Sequence, residues 1–177
     1  MSQRNRYEVN SRSRGFCVII NNCKFQNKAM NRPGAEEDER NLTQLFKDLF
    51  FKVIVEKDLT KHQMENVAEK YGAADHSAFD AFVLIVMSHG GDRDCVLGVD
   101  GRETTVKDLM VEFRENKCPS LKRKPKVFII QTCRGQRDDV CKSFTASTGC
   151  MSTSYDSALF YDSTLPRSVF PQEPDFV

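Results

Sequence analysis

A thiol and an imidazole each follow a long apolar segment of this sequence. Cys133 comes two residues after the run KVFIIQ, and His89 comes two residues after the run FDAFVLIVM. Such runs are typical of strands buried on both faces of a parallel sheet. Because the carboxyl ends of parallel strands meet at one edge of a sheet, where ligands bind in open α/β proteins, we expect both side chains there. A cysteine next to an imidazole can form a thiolate, which attacks carbonyl carbon.

A lone cysteine is more often a small buried hydrophobe, and this is the alternative for Cys133. The second run of the same build, which ends in Ser88-His89-Gly90-Gly91, favours the catalytic interpretation. The other two histidines, His62 and His76, lie in polar segments, and we expect both to be solvated on the surface.

The remaining apolar periodicity predicts the elements that position these residues. Two further strands are predicted at 15–22 and 51–55, and helices are predicted at 35–49, 61–71 and 104–115. Strands and helices therefore alternate along the chain, which predicts a three-layer α/β fold with a mostly parallel central sheet flanked by helices. The acidic residues at 36–39 suit the first turn of a helix better than a metal site.

Composition excludes several classes of protein. A formal charge of +1 over 177 residues argues against a nucleic-acid binder, and no apolar segment reaches the roughly 18 residues of a membrane span. Seven cysteines without C-x-x-C pairs favour a reduced, cytoplasmic protein over a zinc site or a disulfide framework. Neither G-x-G-x-x-G nor G-x-x-x-x-G-K-[ST] occurs, which argues against a nucleotide-binding domain. We expect no metal and no cofactor.

Both ends of the chain differ in composition from its centre. Residues 1–14 are basic and polar, and predict a flexible leader. Residues 137–168 are rich in Ser, Thr and Asp, and predict a mobile polar linker. The strand at 126–131 would then form an open edge of the sheet.

The motif QTCRG at 131–135, with MSHG at 87–90, resembles the caspases, which are cysteine proteases directed to aspartate. Thr132 stands where that family usually has alanine. The resemblance implies that 15–136 is a caspase-like large-subunit domain. It also implies that 169–177, VFPQEPDFV, is the truncated start of the small subunit, without which the sheet is incomplete.

The resemblance also implies roles for individual residues. Cys133 would be the nucleophile, His89 the general acid and base, and the N–H of Gly90 a donor to the oxyanion. Arg32, in MNRPG, and Gln131 would line the pocket that selects aspartate. Two aspartates in the predicted linker are candidate processing sites, Asp156 and Asp162.

The expected partners follow from the same resemblance. They are protein substrates with aspartate at the cleavage site and a caspase small subunit, in a dimer or heterotetramer when complete. The implied function is endopeptidase activity in regulated cell death (apoptosis). The alternative is a non-catalytic, caspase-like regulator that binds a true caspase.

Overall fold

The central sheet is built from the chain's longest apolar runs. The computed structural model describes residues 10–91, 94–132 and the backbone of 158–162, and in these residues the sheet order is β2-β1-β3-β6-β7. Four of its strands are mutually parallel: β1 (Gly15–Asn21), β2 (Phe51–Lys57), β3 (Phe82–Met87) and β6 (Lys126–Gln131). The fifth, β7 (Ala158–Asp162), pairs antiparallel with β6.

Helices cover both faces of this sheet. They are α1 (Ala35–Asp48), α2 (Lys61–Gly72) and α3 (Val106–Val111). Alternate residues of β1 point to opposite faces: Val18 and Ile20 join one apolar cluster with α2 and α3, and Cys17 and Ile19 join another with α1. The prediction of a layered α/β fold with a mostly parallel sheet is confirmed.

The predicted helix at 104–115 is shorter in the structure. Its first residues form β5 (Glu103–Thr105), which pairs antiparallel with β4 (Cys95–Leu97). Thr105 then caps α3, because its hydroxyl accepts a hydrogen bond from the Asp108 N–H at 3.0 Å. The β-branched Thr104 and Thr105 favour the extended conformation, and this preference outweighed the helical spacing of the apolar residues that follow.

The segment expected to be a linker contributes a strand. Ala158 pairs with Gln131 and Asp162 pairs with Val127, so β7 covers the edge of β6 that was expected to be open. The reason is local, since ALFYD is apolar and aromatic within an otherwise polar segment. Pairing with β7 gives the outward N–H and C=O groups of β6 hydrogen-bond partners.

His76 is fully buried, and the prediction of a surface position is wrong. Its ring lies among the rings of Phe16, Phe79 and Phe82, which gather at the amino-terminal edge of the sheet. Its Nε2–H donates to the Tyr71 carbonyl at 2.7 Å, whereas its Nδ1 has no hydrogen-bond partner among the described residues. The residues next to His76 in the sequence are polar, so the aromatic pocket around it could not be predicted from them. His62 is exposed, as expected.

No helix within the described ranges is both long enough and apolar enough to cross a bilayer.

We expect His76 to make the fold sensitive to acid. Burial lowers the pKa of His76 below the ordinary value of 6.5 and outweighs the hydrogen bond to the Tyr71 carbonyl, which raises it. The ammonium of Lys124, which donates to the His76 carbonyl, lowers the pKa further, whereas Asp75 raises it. The unfolded state therefore binds more protons than the folded state once the pH falls below about 6.5. The free energy of unfolding should fall as the pH decreases through this range, and urea unfolding at pH 5 to 8 measures it.

The variant His76→Gln keeps an N–H donor for the Tyr71 carbonyl but does not titrate. Its stability should be flatter between pH 5 and 7 than that of the parent chain, whereas the exposed control His62→Gln should retain the parent's slope. An unchanged slope in His76→Gln would show that His76 is not the sensitive group.

We expect a proline in β7 to uncover the edge of β6. Proline lacks the N–H that a ladder requires. The odd-numbered residues of β6 bond to β3, so Tyr161, opposite Phe128, is in a hydrogen-bonded pair, and Tyr161→Pro should break the pairing with β6. The amides of 126–131 that do not face β3 should then exchange with solvent faster in hydrogen-exchange mass spectrometry, and the chain should self-associate in gel filtration. The control Met151→Pro lies before β7 in the sequence. Equal exchange in both variants would contradict the role given to β7.

Candidate active site

Three parallel strands end level with one another. Asn21 pairs with Met87, and Met87 pairs with Gln131, so the last residues of β1, β3 and β6 form one row. Two backbone hydrogen bonds continue the ladder past this row, from Asn22 N to Met87 O (2.9 Å) and from Ser88 N to Gln131 O (3.2 Å). The residues that follow these strands therefore leave the sheet at the same carboxyl edge.

His89 lies at this edge, two residues beyond Met87. Its Nε2 is 2.7 Å from the carbonyl oxygen of Met30. A carbonyl oxygen only accepts hydrogen bonds, so Nε2 must carry the proton, and in the neutral ring Nδ1 then holds the lone pair. This contact fixes Nδ1 as the nitrogen that can exchange a proton with a reacting group.

Two residues of the loop between β1 and α1 hold the His89 ring. Phe25 is buried, and its ring packs against the imidazole with 5.0 Å between centroids. Met30 supplies the carbonyl described above. Sequence reasoning missed both residues. A phenylalanine within a polar loop is a signal that could have identified Phe25, whereas no residue type marks a main-chain acceptor such as the Met30 carbonyl.

Gly90 forms a bridge to Val96 of β4. On either side of this pair, Leu97 N donates to His89 O at 3.0 Å and Gly91 N donates to Cys95 O at 2.9 Å. Gly90 therefore occupies a non-hydrogen-bonded position of an antiparallel pair, in which its own N–H is turned away from β4. A backbone donor in this position suits the binding of a negatively charged oxygen.

Arg32 lies against the end of β1. Its Nη1 donates to the Asn22 carbonyl at 3.0 Å, with a longer contact of 3.5 Å to Asn21 Oδ1, and its backbone N–H donates to the Cys23 carbonyl at 2.9 Å. The start of the same loop is anchored by Asp58, whose Oδ1 accepts from the N–H groups of residues 23 and 24 at 2.8 and 2.7 Å. The half-buried guanidinium thus lies at the same edge as His89.

The other predicted site residues have different positions. Gln131 is the half-buried last residue of β6, and Thr132 after it is also half-buried. Cys133 and Asp156 lie outside the residues that the structure describes. Asp162 is the last residue of β7, where its backbone pairs with Val127.

The cysteines that the structure describes are free thiols. Burial raises the pKa of the Cys17 thiol to about 12. Burial also raises the pKa of Cys23, and the nearby carboxylates of Glu36, Asp58 and Glu39 raise it further against the opposing charge of Arg32. These two thiols are therefore protonated at neutral pH and poor nucleophiles. Within the described ranges, no three His, Cys, Asp or Glu side chains gather closely enough to hold a metal ion.

Comparison with known proteins identifies relatives of this chain. A family model described as the caspase domain matches residues 14–173. Mouse caspase-8 is 34% identical over 180 residues, which cover 97% of this chain and 36% of that protein. Bovine caspase-3 is 36% identical over 135 residues, which cover 75% of this chain and 48% of that protein. Zebrafish caspase a is 33% identical over 139 residues, which cover 73% of this chain and 36% of that protein.

The chain therefore spans between about a third and a half of the length of these relatives. The family match, in contrast, extends over most of the chain and includes both the His89 edge and the strand that precedes Cys133. The chain belongs to the caspase family.

Proposed function

We propose that this chain supplies the large subunit of a cysteine endopeptidase that cleaves after aspartate in regulated cell death. The observation that carries the proposal is the hydrogen bond from His89 Nε2 to the Met30 carbonyl. It leaves Nδ1 as the basic nitrogen. His89 lies at the edge of the sheet where β6 also ends, and β6 ends two residues before Cys133 in the sequence.

In the proposed reaction, Cys133 Sγ attacks the carbonyl carbon of the scissile peptide bond. The thiol proton passes to His89 Nδ1, and the negative charge on the carbonyl oxygen is met by the N–H groups of Gly90 and Cys133. One such donor is worth on the order of 3 kcal/mol in the transition state. The imidazolium then protonates the leaving amine, which departs as the C–N bond breaks and a thioester forms.

Water completes the cycle. His89 Nδ1 removes a proton from a water molecule, which attacks the thioester and releases the carboxylic acid product, while the Cys133 sulfur recovers a proton. The Met30 carbonyl supports both halves of the cycle, because it accepts the Nε2–H bond whether the ring is neutral or protonated. The reaction requires no metal and no cofactor.

Specificity for aspartate is assigned to Arg32 and Gln131. A guanidinium presents forked donors that match both oxygens of a carboxylate. Its Nη1 contact with the Asn22 carbonyl supports the proposal, because the contact holds the side chain at the edge of the sheet before a substrate arrives. A neutral side chain would leave this charge unpaired, so a substrate with asparagine should be rejected more strongly than its size alone would require.

The proposed partners are protein substrates and a caspase small subunit, in a dimer or heterotetramer, and the proposed location is the cytoplasm. Free thiols at the described cysteines support a reducing compartment. The half-buried Val127 and Ile129 on β6 support a partner that covers this part of the sheet. Asp156 and Asp162 remain the candidate processing sites.

We expect the chain, mixed with a matching caspase small subunit, to cleave a fluorogenic peptide after aspartate. The same peptide with asparagine should be cleaved at least about 10³-fold more slowly, because the pocket would bury an unpaired charge. Cys133→Ala should lower kcat by at least about 10⁴-fold. Cys118→Ala is the matched control, since Cys118 is also a free thiol but is buried outside the proposed site.

Equal cleavage of both peptides, or activity that survives Cys133→Ala, would refute the mechanism. If the chain binds the small subunit while the parent and Cys133→Ala are equally inactive, the non-catalytic regulator is the better description.

We expect Arg32→Lys to reduce selectivity for aspartate. Lysine keeps the positive charge but lacks the forked donors, so kcat/KM for the aspartate peptide should fall about 10- to 100-fold, as expected for one lost charge-assisted hydrogen bond. The control Arg40→Lys changes an exposed arginine of α1 that pairs with Glu37. Similar kcat/KM values for the parent chain and Arg32→Lys would exclude Arg32 from substrate recognition.

A further inference from the structure

We propose that Asn22 is a positioning residue that holds His89 and the loop carrying Met30 and Arg32 as one unit. A catalytic role for Asn22 rests on the proposed function. The hydrogen bonds that support this role all join residues that the structure describes.

The side chain of Asn22 is fully buried and connects three segments of the chain. Its Oδ1 accepts from the backbone N–H of Leu59, before α2, at 2.9 Å. Its Nδ2 donates to the carbonyl of Leu97, in β4, at 3.0 Å, and lies 3.4 Å from the hydroxyl of Ser88. Because one end faces a donor and the other faces acceptors, the orientation of the amide is determined by its partners.

His89 depends on these contacts through its backbone. Leu97, which Asn22 holds through its carbonyl, donates its own N–H to the His89 carbonyl at 3.0 Å. Ser88, the residue before His89, donates its hydroxyl to the same Leu97 carbonyl at 2.6 Å. The backbone of His89 is therefore held by β4, and Asn22 is one of the groups that hold β4 at Leu97.

The opposite side of the site is anchored on the same residue. The main-chain carbonyl of Asn22 accepts from Arg32 Nη1 at 3.0 Å, and Arg32 follows Met30 by two positions. Asn22 therefore contacts both parts of the site: its side chain bonds the strand that holds His89, and its main-chain carbonyl bonds the loop that carries Met30. The bond between His89 Nε2 and the Met30 carbonyl, 2.7 Å long, spans these two anchored parts.

An asparagine suits this position for a chemical reason. The site needs one acceptor and at least one donor on a short side chain. Aspartate would turn a second acceptor toward the Leu97 carbonyl. Leucine, of similar size, would leave the Leu59 N–H without an acceptor and would remove one of the two donors to the Leu97 carbonyl.

The test compares Asn22→Leu with the parent chain by ¹⁵N NMR. His89 is assigned by the loss of its signals in His89→Gln. In the parent chain, Nε2 should show the protonated type of shift and Nδ1 the unprotonated type. In Asn22→Leu both nitrogens should move toward the averaged values of an unconstrained neutral imidazole. The Leu59 amide, which loses its acceptor on Asn22 Oδ1, should exchange about tenfold faster, the change expected for one lost buried hydrogen bond.

Phe113→Leu is the control for lost stability, because it shortens a buried ring that stacks on Phe82 at the opposite edge of the sheet. It should leave the His89 nitrogens at their parent values. If Asn22→Leu does not give a dispersed spectrum, Asn22→Ser, which keeps a smaller polar group, should show the same changes.

The proposal is overturned if an Asn22 variant with a dispersed spectrum retains the parent shifts of the His89 nitrogens, even if its Leu59 amide exchanges faster. These readouts need no turnover. A chain that fails to cleave any peptide would therefore refute the proposed function without deciding the role of Asn22.

Discussion

Parallel pairing of β1, β3 and β6 is the constraint on which the rest of the structure depends. Because Asn21, Met87 and Gln131 end in one row, the loops after these strands begin at the same height and along the same edge. No long-range charge attraction is needed to gather the site residues there. The backbone ladder does so, and the core formed by both sheet faces makes any slip of register costly.

The two edges of the sheet differ in chemistry. At the amino-terminal edge, aromatic rings enclose His76 and leave little room for solvent. At the carboxyl edge, asparagines, a histidine and an arginine are held mainly by backbone groups. Hydrogen bonds to the backbone fix a polar side chain in one orientation while leaving its other atoms free for a ligand, which agrees with the role proposed for this edge.

Much of this arrangement could be predicted from the sequence, because apolar runs indicate buried strands and the polar residues that follow them indicate the carboxyl ends of those strands. That reasoning identified β3, β6 and the edge at which His89 lies. It could not identify Met30, which acts through its carbonyl, or Asn22, whose partners lie 37 and 75 positions away. His76 was misjudged because its apolar surroundings come from Phe16 and Phe82, which are distant from it or in the next strand.

The ladder between β7 and β6 also bears on how the chain could be cut. Peptidases commonly bind their substrates in an extended conformation through main-chain hydrogen bonds. Within the five residues that end at Asp162, alternate residues already make such bonds with β6. Any peptidase that reads the residues before Asp162 must therefore compete with the sheet for the same backbone groups. If Asp162 is the processing site proposed above, the rate of scission at that bond would depend on how often β7 separates from β6, so the chain's own secondary structure would limit how fast it is processed.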